Sequence, residues 1–134
     1  MEISATVNNA PGRHRATVTT SGVTQEVAIP AKATGPGSSL NGGELLLLAL
    51  ATCYCNDLYR EAARLGIPLA GVEVTASATF AGVGLAARDI RYRAAVASPA
   101  PDDVIEDLLR QTDAVAEVHN TLRAGVAVER VSGT

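Results

Sequence analysis

Cys53 and Cys55 sit in the middle of the segment GELLLLALATCYCNDLYREAARLG (43–66), with Glu44 nine residues before Cys53 and Asp57 four residues after it. A thiol becomes a nucleophile or redox centre when a nearby cation or a helix N-terminus lowers its pKa. Cys53 lies about ten residues into the helix this segment predicts, beyond the turn where a helix dipole acts. The charge of Asp57, one turn on, works against ionisation. Activation therefore requires a cation from elsewhere, and Arg13, Arg15, Lys32 and Arg60 are the candidates. The plainer reading is that both thiols are core, since free cysteine packs as a small hydrophobe. On the residues alone both readings stand.

The spacing narrows the chemistry. At 3.6 residues per turn Cys53 and Cys55 diverge by about 200°. An intact helix therefore offers no disulfide between them. The chain has two histidines, His14 and His119, and no recognised zinc-ligand spacing, so no metal site is expected. Glu44, at the start of the helix, suits a cap or dipole contact. It also suits the orientation of an arginine against a thiolate. Nine residues correspond to about 180° of rotation, so Glu44 and Cys53 share a site only if a second subunit supplies one of them.

The elements that must position these groups are legible from periodicity. EISATVN (2–8), RHRATVTT (13–20) and VTQEVAIP (23–30) are rich in β-branched residues and separated by Asn-Asn-Ala-Pro-Gly and Ser-Gly, which predicts an antiparallel meander. Residues 30–42 hold two Pro and three Gly and form a long loop, the kind that often carries function. A helix over 43–65 follows, capped by Gly66, about 35 Å long. Its first half is apolar all round and expected to be covered on more than one side, while Arg60, Glu61 and Arg64 face water. VEVTASATF (72–80) and DIRYRAAVAS (89–98) alternate as half-buried strands, with Phe80 and Ile90 among the inward residues. A helix begins at 99–103, another spans about 113–123, and GVAVERV (125–131) is expected to close as a strand. The order βββ-α-ββ-αα-β is an α+β domain, mostly antiparallel, in one unit over 1–134.

Composition excludes several functions. Net charge is −3, with one Phe, no Trp and no basic cluster, which leaves little to bind nucleic acid. The apolar run from Leu45 to Cys55 is too short to span a bilayer. Two cysteines and no export signal point to reduced thiols in the cytoplasm.

GELLLLALATC, led by GPGSSLNG and followed by NDLYREAARLGIPLAGVEVTASATF, resembles the osmotically inducible protein C/organic hydroperoxide resistance (OsmC/Ohr) family, as does AEVHNTLRAGVAVE near the C-terminus. The resemblance runs along nearly the full chain and implies an OsmC-like intertwined homodimer around a long central helix, with two interfacial sites. It implies reduction of organic hydroperoxides by a peroxidatic cysteine, a resolving cysteine, an arginine and a glutamate. By position Cys53 matches the peroxidatic cysteine and Glu44 the glutamate. APGRHRA resembles the family's early Gly-Gly-Arg segment, which favours Arg13 and then Arg15; another branch would use Lys32. Ala116 stands where the resolving cysteine belongs, and Asn-Gly-Gly replaces the usual Ser-Pro before the glutamate. The expected activity is a thiol-dependent peroxidase with Leu46 and Leu50 shaping an alkyl pocket. It has no cofactor and relies on an external low-molecular-weight or lipoyl-type thiol. The alternative is an inactive dimer that binds a small hydrophobic ligand or senses redox state.

Overall fold

Tight turns that accept positive φ organise the first strands. In the computed structural model, which describes residues 1–133, β1 (Ile3–Ala10), β2 (Arg13–Thr20) and β3 (Val23–Val27) form an antiparallel sheet in sequence order. Ser21 (φ 49°) and Gly22 (φ 80°) both lie in the left-handed region. That twist suits a two-residue hairpin and pairs Thr20 with Val23. The chain divides into two compact units, Met1–Leu45 and the remainder from Leu46. In the first, Ala16 is buried, whereas Ile3, Val7 and Val23 are exposed. β3 stops at Val27, short of the expected Pro30, whose missing N–H cannot extend a ladder.

The loop after β3 is pinned within this unit. Lys32 N–H donates to the Gly37 carbonyl at 3.0 Å and Ser39 N–H to Pro30 at 2.9 Å. The Asn9 amide meets Gly37 twice, donating to its carbonyl at 3.0 Å and accepting from its N–H at 2.9 Å. Asn41 then starts α1 (Gly42–Leu65) as a capping box. Its side-chain oxygen accepts the Glu44 N–H at 2.8 Å, and Glu44 Oε1 accepts the Asn41 N–H at 3.0 Å.

The second unit holds the rest of α1, the hairpin of β4 (Gly71–Thr79) and β5 (Arg88–Ala97), and helices α2 (Asp102–Val115) and α3 (Glu117–Ala124). Leu50, Tyr54, Leu58 and Ala62 recur every four residues along α1 and are buried. Tyr54, Leu58 and Ala62 cluster with Leu108 and Ala116, and Val72, Val74, Tyr92, Ala94 and Val96 pack against them. Complete burial of Leu58 and of Leu108 contributes roughly 1.5–3 kcal/mol each. α1 ends as expected: Gly66 is left-handed, its N–H donates to Ala63, and Ile67 N–H donates to Ala62.

Four expectations are corrected. GVAVERV forms no strand: from 126 onward the described residues have no ladder partner, and Val126, Val128 and Val131 are exposed. Strand alternation alone does not make a strand without a neighbouring edge. Glu61 is buried, because Arg60 and Arg64 fold over its carboxylate. Phe80 falls beyond the end of β4 and, like Ile90 next to the irregular pairing at Ser77/Thr79, is exposed. The apolar first half of α1 is not fully covered in this chain, since Leu48 is 56% exposed.

His119 is buried with neither ring nitrogen hydrogen-bonded, packed against Tyr92 (centroids 4.5 Å apart) and Tyr54 (5.8 Å). Burial, then the charge of Arg123, holds its pKa below the ordinary imidazole value. The unfolded chain therefore binds a proton at higher pH than the native one. The stability due to neutral His119 is complete above about pH 6.5 and is lost as pH falls toward the depressed native value. Urea unfolding at pH 7, 6 and 5 should show stability falling with pH, and His119→Phe should flatten that slope. An identical slope in the variant would refute the assignment.

Candidate functional site

The buried stripe of α1 leaves a second ridge beside it, Cys53, Asp57 and Glu61, also spaced by four residues. This ridge meets the start of α3. Cys53 is half-buried. Its S–H donates to Asp57 Oδ2 at 3.6 Å, and Glu117 Oε2 lies 3.9 Å from the sulfur. Arg60 joins the two carboxylates through their other oxygens. Its Nη1 is 3.0 Å from Asp57 Oδ1 and 3.7 Å from Glu117 Oε1, and its Nε is 3.6 Å from Glu61. Arg64 holds Glu61 at 3.1 Å.

The electrostatics favour a protonated thiol in the single chain. Burial pushes the Cys53 pKa up, and a backbone hydrogen bond from Val118, in the first turn of α3, opposes it. Asp57 and Glu117 add to the rise. Asp57 is itself raised, first by burial, with Arg60 working against the shift. The sulfur and one oxygen from each of Asp57 and Glu117 lie within 4.8 Å of one another, close enough for one cation. The Arg60 guanidinium already supplies positive charge to both carboxylates, which disfavours a metal there.

A pocket of ≈ 200 Å³ is lined by Leu50, which lies three residues before Cys53 on α1, and by Ile90, Tyr92, His119, Leu122 and Arg123. Arg123 pairs with Asp113 at 2.7 Å, and the Tyr92 hydroxyl donates to the same carboxylate. The pocket walls are mostly aliphatic and aromatic, which suits a small apolar group. Leu50, expected to shape an alkyl pocket, is among them.

Of the cations considered for Cys53, Arg60 belongs to its cluster. Arg13, Arg15 and Lys32 belong to the Met1–Leu45 unit, as does Glu44. Arg13 opens β2 and borders a cleft with Asn8, Asn9 and Arg15. Arg15 pairs with Glu26 at 2.9 Å, Lys32 lies against Gly37, and Glu44 is engaged in the helix cap. Cys55 is half-buried and, like Cys53, a free thiol. Ala116, at the expected resolving position, is fully buried. Sequence reasoning missed Glu117 and His119 as neighbours of the site. The available signal was Glu117's place directly after Ala116.

The family model described as OsmC-like protein matches residues 35–130. No curated protein matches the chain. Among solved structures, the chain is similar to an OsmC-like protein from Mycoplasma pneumoniae, with 21% identity, a TM-score of 0.61, and coverage of 91% of this chain and 86% of that one. An organic hydroperoxide resistance protein from Legionella pneumophila is 17% identical with a TM-score of 0.61, covering 92% and 90%. Another from Elizabethkingia anophelis is 20% identical with a TM-score of 0.60, covering 92% and 89%. At these identities the likeness is one of fold. Among the described residues no helix is long and apolar enough to cross a membrane.

Asp57 is the carboxylate nearest the thiol, and removing its charge should lower the Cys53 pKa. In a Cys55→Ser background, Asp57→Asn should raise the rate of iodoacetamide alkylation at pH 7 by about tenfold, the effect of a one-unit pKa change. Equal rates in the two proteins would show that Asp57 does not control the thiol.

Proposed function

We propose, from the premise that this chain belongs to the OsmC-like protein family, that it is a thiol-dependent peroxidase reducing organic hydroperoxides to alcohols. The observation that carries this reading is a free, half-buried thiol on the central helix, with Leu50 one turn earlier lining an apolar pocket. The hydroperoxide resistance proteins among its structural relatives support the same chemistry.

In this reading the Cys53 thiolate attacks the distal peroxide oxygen and the O–O bond breaks. The leaving alkoxide takes a proton to become the alcohol, and Cys53 is left as a sulfenic acid. The fold must offset the raised thiol pKa with a cation. Arg13 takes that role, stabilising the thiolate and the departing oxygen, and Glu44 orients it through an ion pair. Because Glu44 and Cys53 diverge by about 180° around one helix, the site is shared between the two copies of a homodimer. The exposed Leu48 and the exposed valines of the first sheet support a second copy. With Ala116 in place of a second thiol, an external thiol from the reducing cytoplasm recycles Cys53, and no cofactor takes part.

A second reading is an inactive dimer that binds a small hydrophobic molecule. The carboxylates beside Cys53 and the pocket lined by Leu50, Ile90 and Leu122 favour it.

Cumene hydroperoxide consumption with dithiothreitol or dihydrolipoamide separates the two. The Cys55→Ser protein should retain turnover and Cys53→Ser should lose it. Arg13→Ala should lower kcat/KM by about 10²–10³, as loss of an oxyanion donor does. Equal inertness of wild type and Cys53→Ser across several hydroperoxides would sink the peroxidase and leave the binding module.

A further inference from the structure

We infer that Asp57 and Glu117 make Cys53 selective for the charge of the thiol that recycles it, accepting neutral or cationic thiols and rejecting anionic ones. This rests on the reading of Cys53 as a nucleophile regenerated from outside the chain. It names the chemical class of the second substrate at that site.

The geometry explains why an outside thiol is required. Ala116 is fully buried and α3 carries no thiol. Cys55 is the one other thiol in the chain, and it sits two residues along the same helix, about 200° away. Regeneration therefore takes two external thiol groups, on two molecules or on one dithiol. One thiol attacks Sγ of the sulfenic acid, the S–O bond breaks, and water leaves with the incoming proton. The product is a mixed disulfide. A second thiol attacks the external sulfur, expelling the Cys53 thiolate, which takes up a proton. The external thiols are oxidised to their disulfide and Cys53 is reduced.

The selectivity comes from which oxygens face the sulfur. Arg60 Nη1 holds Asp57 through Oδ1 and Glu117 through Oε1. The oxygens directed at Sγ are the other two, Oδ2 and Oε2. The guanidinium thus engages one oxygen of each carboxylate and leaves the other within 4 Å of the sulfur. Around the thiol stand two carboxylates, Asp57 and Glu117, against one guanidinium, Arg60, and the proposed Arg13–Glu44 ion pair adds no net charge. The local balance is one negative charge. Every attacking thiolate meets that charge, so the common cost does not discriminate. A charged group on the incoming molecule, a few ångströms behind its sulfur, meets it again with its own sign. At a separation of ~6 Å and an effective dielectric between the surface and bulk-water values, one unit charge changes the rate by about tenfold.

The test does not depend on peroxide chemistry. Cys55→Ser protein is converted with 4,4′-dithiodipyridine, which is neutral, to the Cys53 pyridyl mixed disulfide. Release of thiopyridone is then followed with cysteamine, 2-mercaptoethanol and 3-mercaptopropionate. Rates are expressed per thiolate and normalised to the same thiols acting on a small neutral pyridyl disulfide. Cysteamine should exceed 3-mercaptopropionate by about a hundredfold at low salt, with 2-mercaptoethanol between them at about tenfold from each. The ratio should fall toward one in 1 M salt and in both Asp57→Asn and Glu117→Gln. Glu117 is exposed, so Glu117→Gln tests the idea even if Asp57→Asn fails to fold. Equal normalised rates in wild type, an undiminished ratio in folded variants, or failure of Cys53 to form the mixed disulfide would overturn the inference. Charge selection without hydroperoxide turnover would instead remove the peroxidase reading and leave a charge-filtered thiol.

Discussion

The rotation of α1 about its own axis is the constraint on which the second unit depends. Leu50, Tyr54, Leu58 and Ala62 can all be buried only if one line along the helix faces inward. Tyr54 secures that setting by donating its hydroxyl proton to the Leu109 carbonyl at 2.7 Å, so the ring can be buried without an orphaned polar atom. Once the line is set, the adjoining ridge of Cys53, Asp57 and Glu61 has no freedom of its own. It falls at the margin of the core, where α3 begins. The same packing that buries Leu58 therefore delivers Asp57 to Cys53, and the chemistry of the thiol is a by-product of helix orientation.

That margin is also where charge has the most leverage. A carboxylate fully in water and far from the sulfur would be screened from it; one deep in the core without a partner would be neutral. At the margin, Asp57 is buried and Glu117 reaches it from the solvent side, and Arg60 contacts both. The members of this network act together: Arg60 touches Asp57, Glu61 and Glu117. Removing any one of them therefore redistributes the field at Cys53 as well as deleting a contact.

The elements were largely legible in the sequence because each is written in a local pattern. The Ser-Gly turn, the alternation in VEVTASATF and the Gly66 stop each decide a conformation within a few residues. The order βββ-α-ββ-αα follows from them, and the solved relatives are similar in fold. What was not legible depends on segments far apart in sequence. Glu117 reaches Cys53 across 64 positions, and no periodicity encodes how α3 returns to α1. Glu61 looked exposed because its helical face is polar; two arginines, each itself half-exposed, enclose it. The 125–131 segment has the composition of a strand, but a strand is a relation between two edges, and one edge is all that composition describes. Cys53, Glu44 and Arg13 were each candidates by residue chemistry, but no local pattern chose among the alternatives; the family resemblance did. The surroundings of Arg13 and Glu44 in the first unit, a β2 cleft and a helix cap, carry no mark of catalysis.

The loop at 30–41 has a thermodynamic consequence of its own. It is rich in glycine and proline, yet it is closed on itself by the Ala31–Ser38 bridge and tied to β1 by both hydrogen-bonding groups of the Asn9 amide. Gly37 takes a φ of 115°, which spares the loop a side chain that would press on the Lys32 stem. Ordering one free residue costs about 1–2 kcal/mol of backbone entropy. Here that loss has already been incurred within the fold, before anything docks. A molecule or second chain that met this loop would find a surface rather than a tether, and would keep most of its contact energy as affinity.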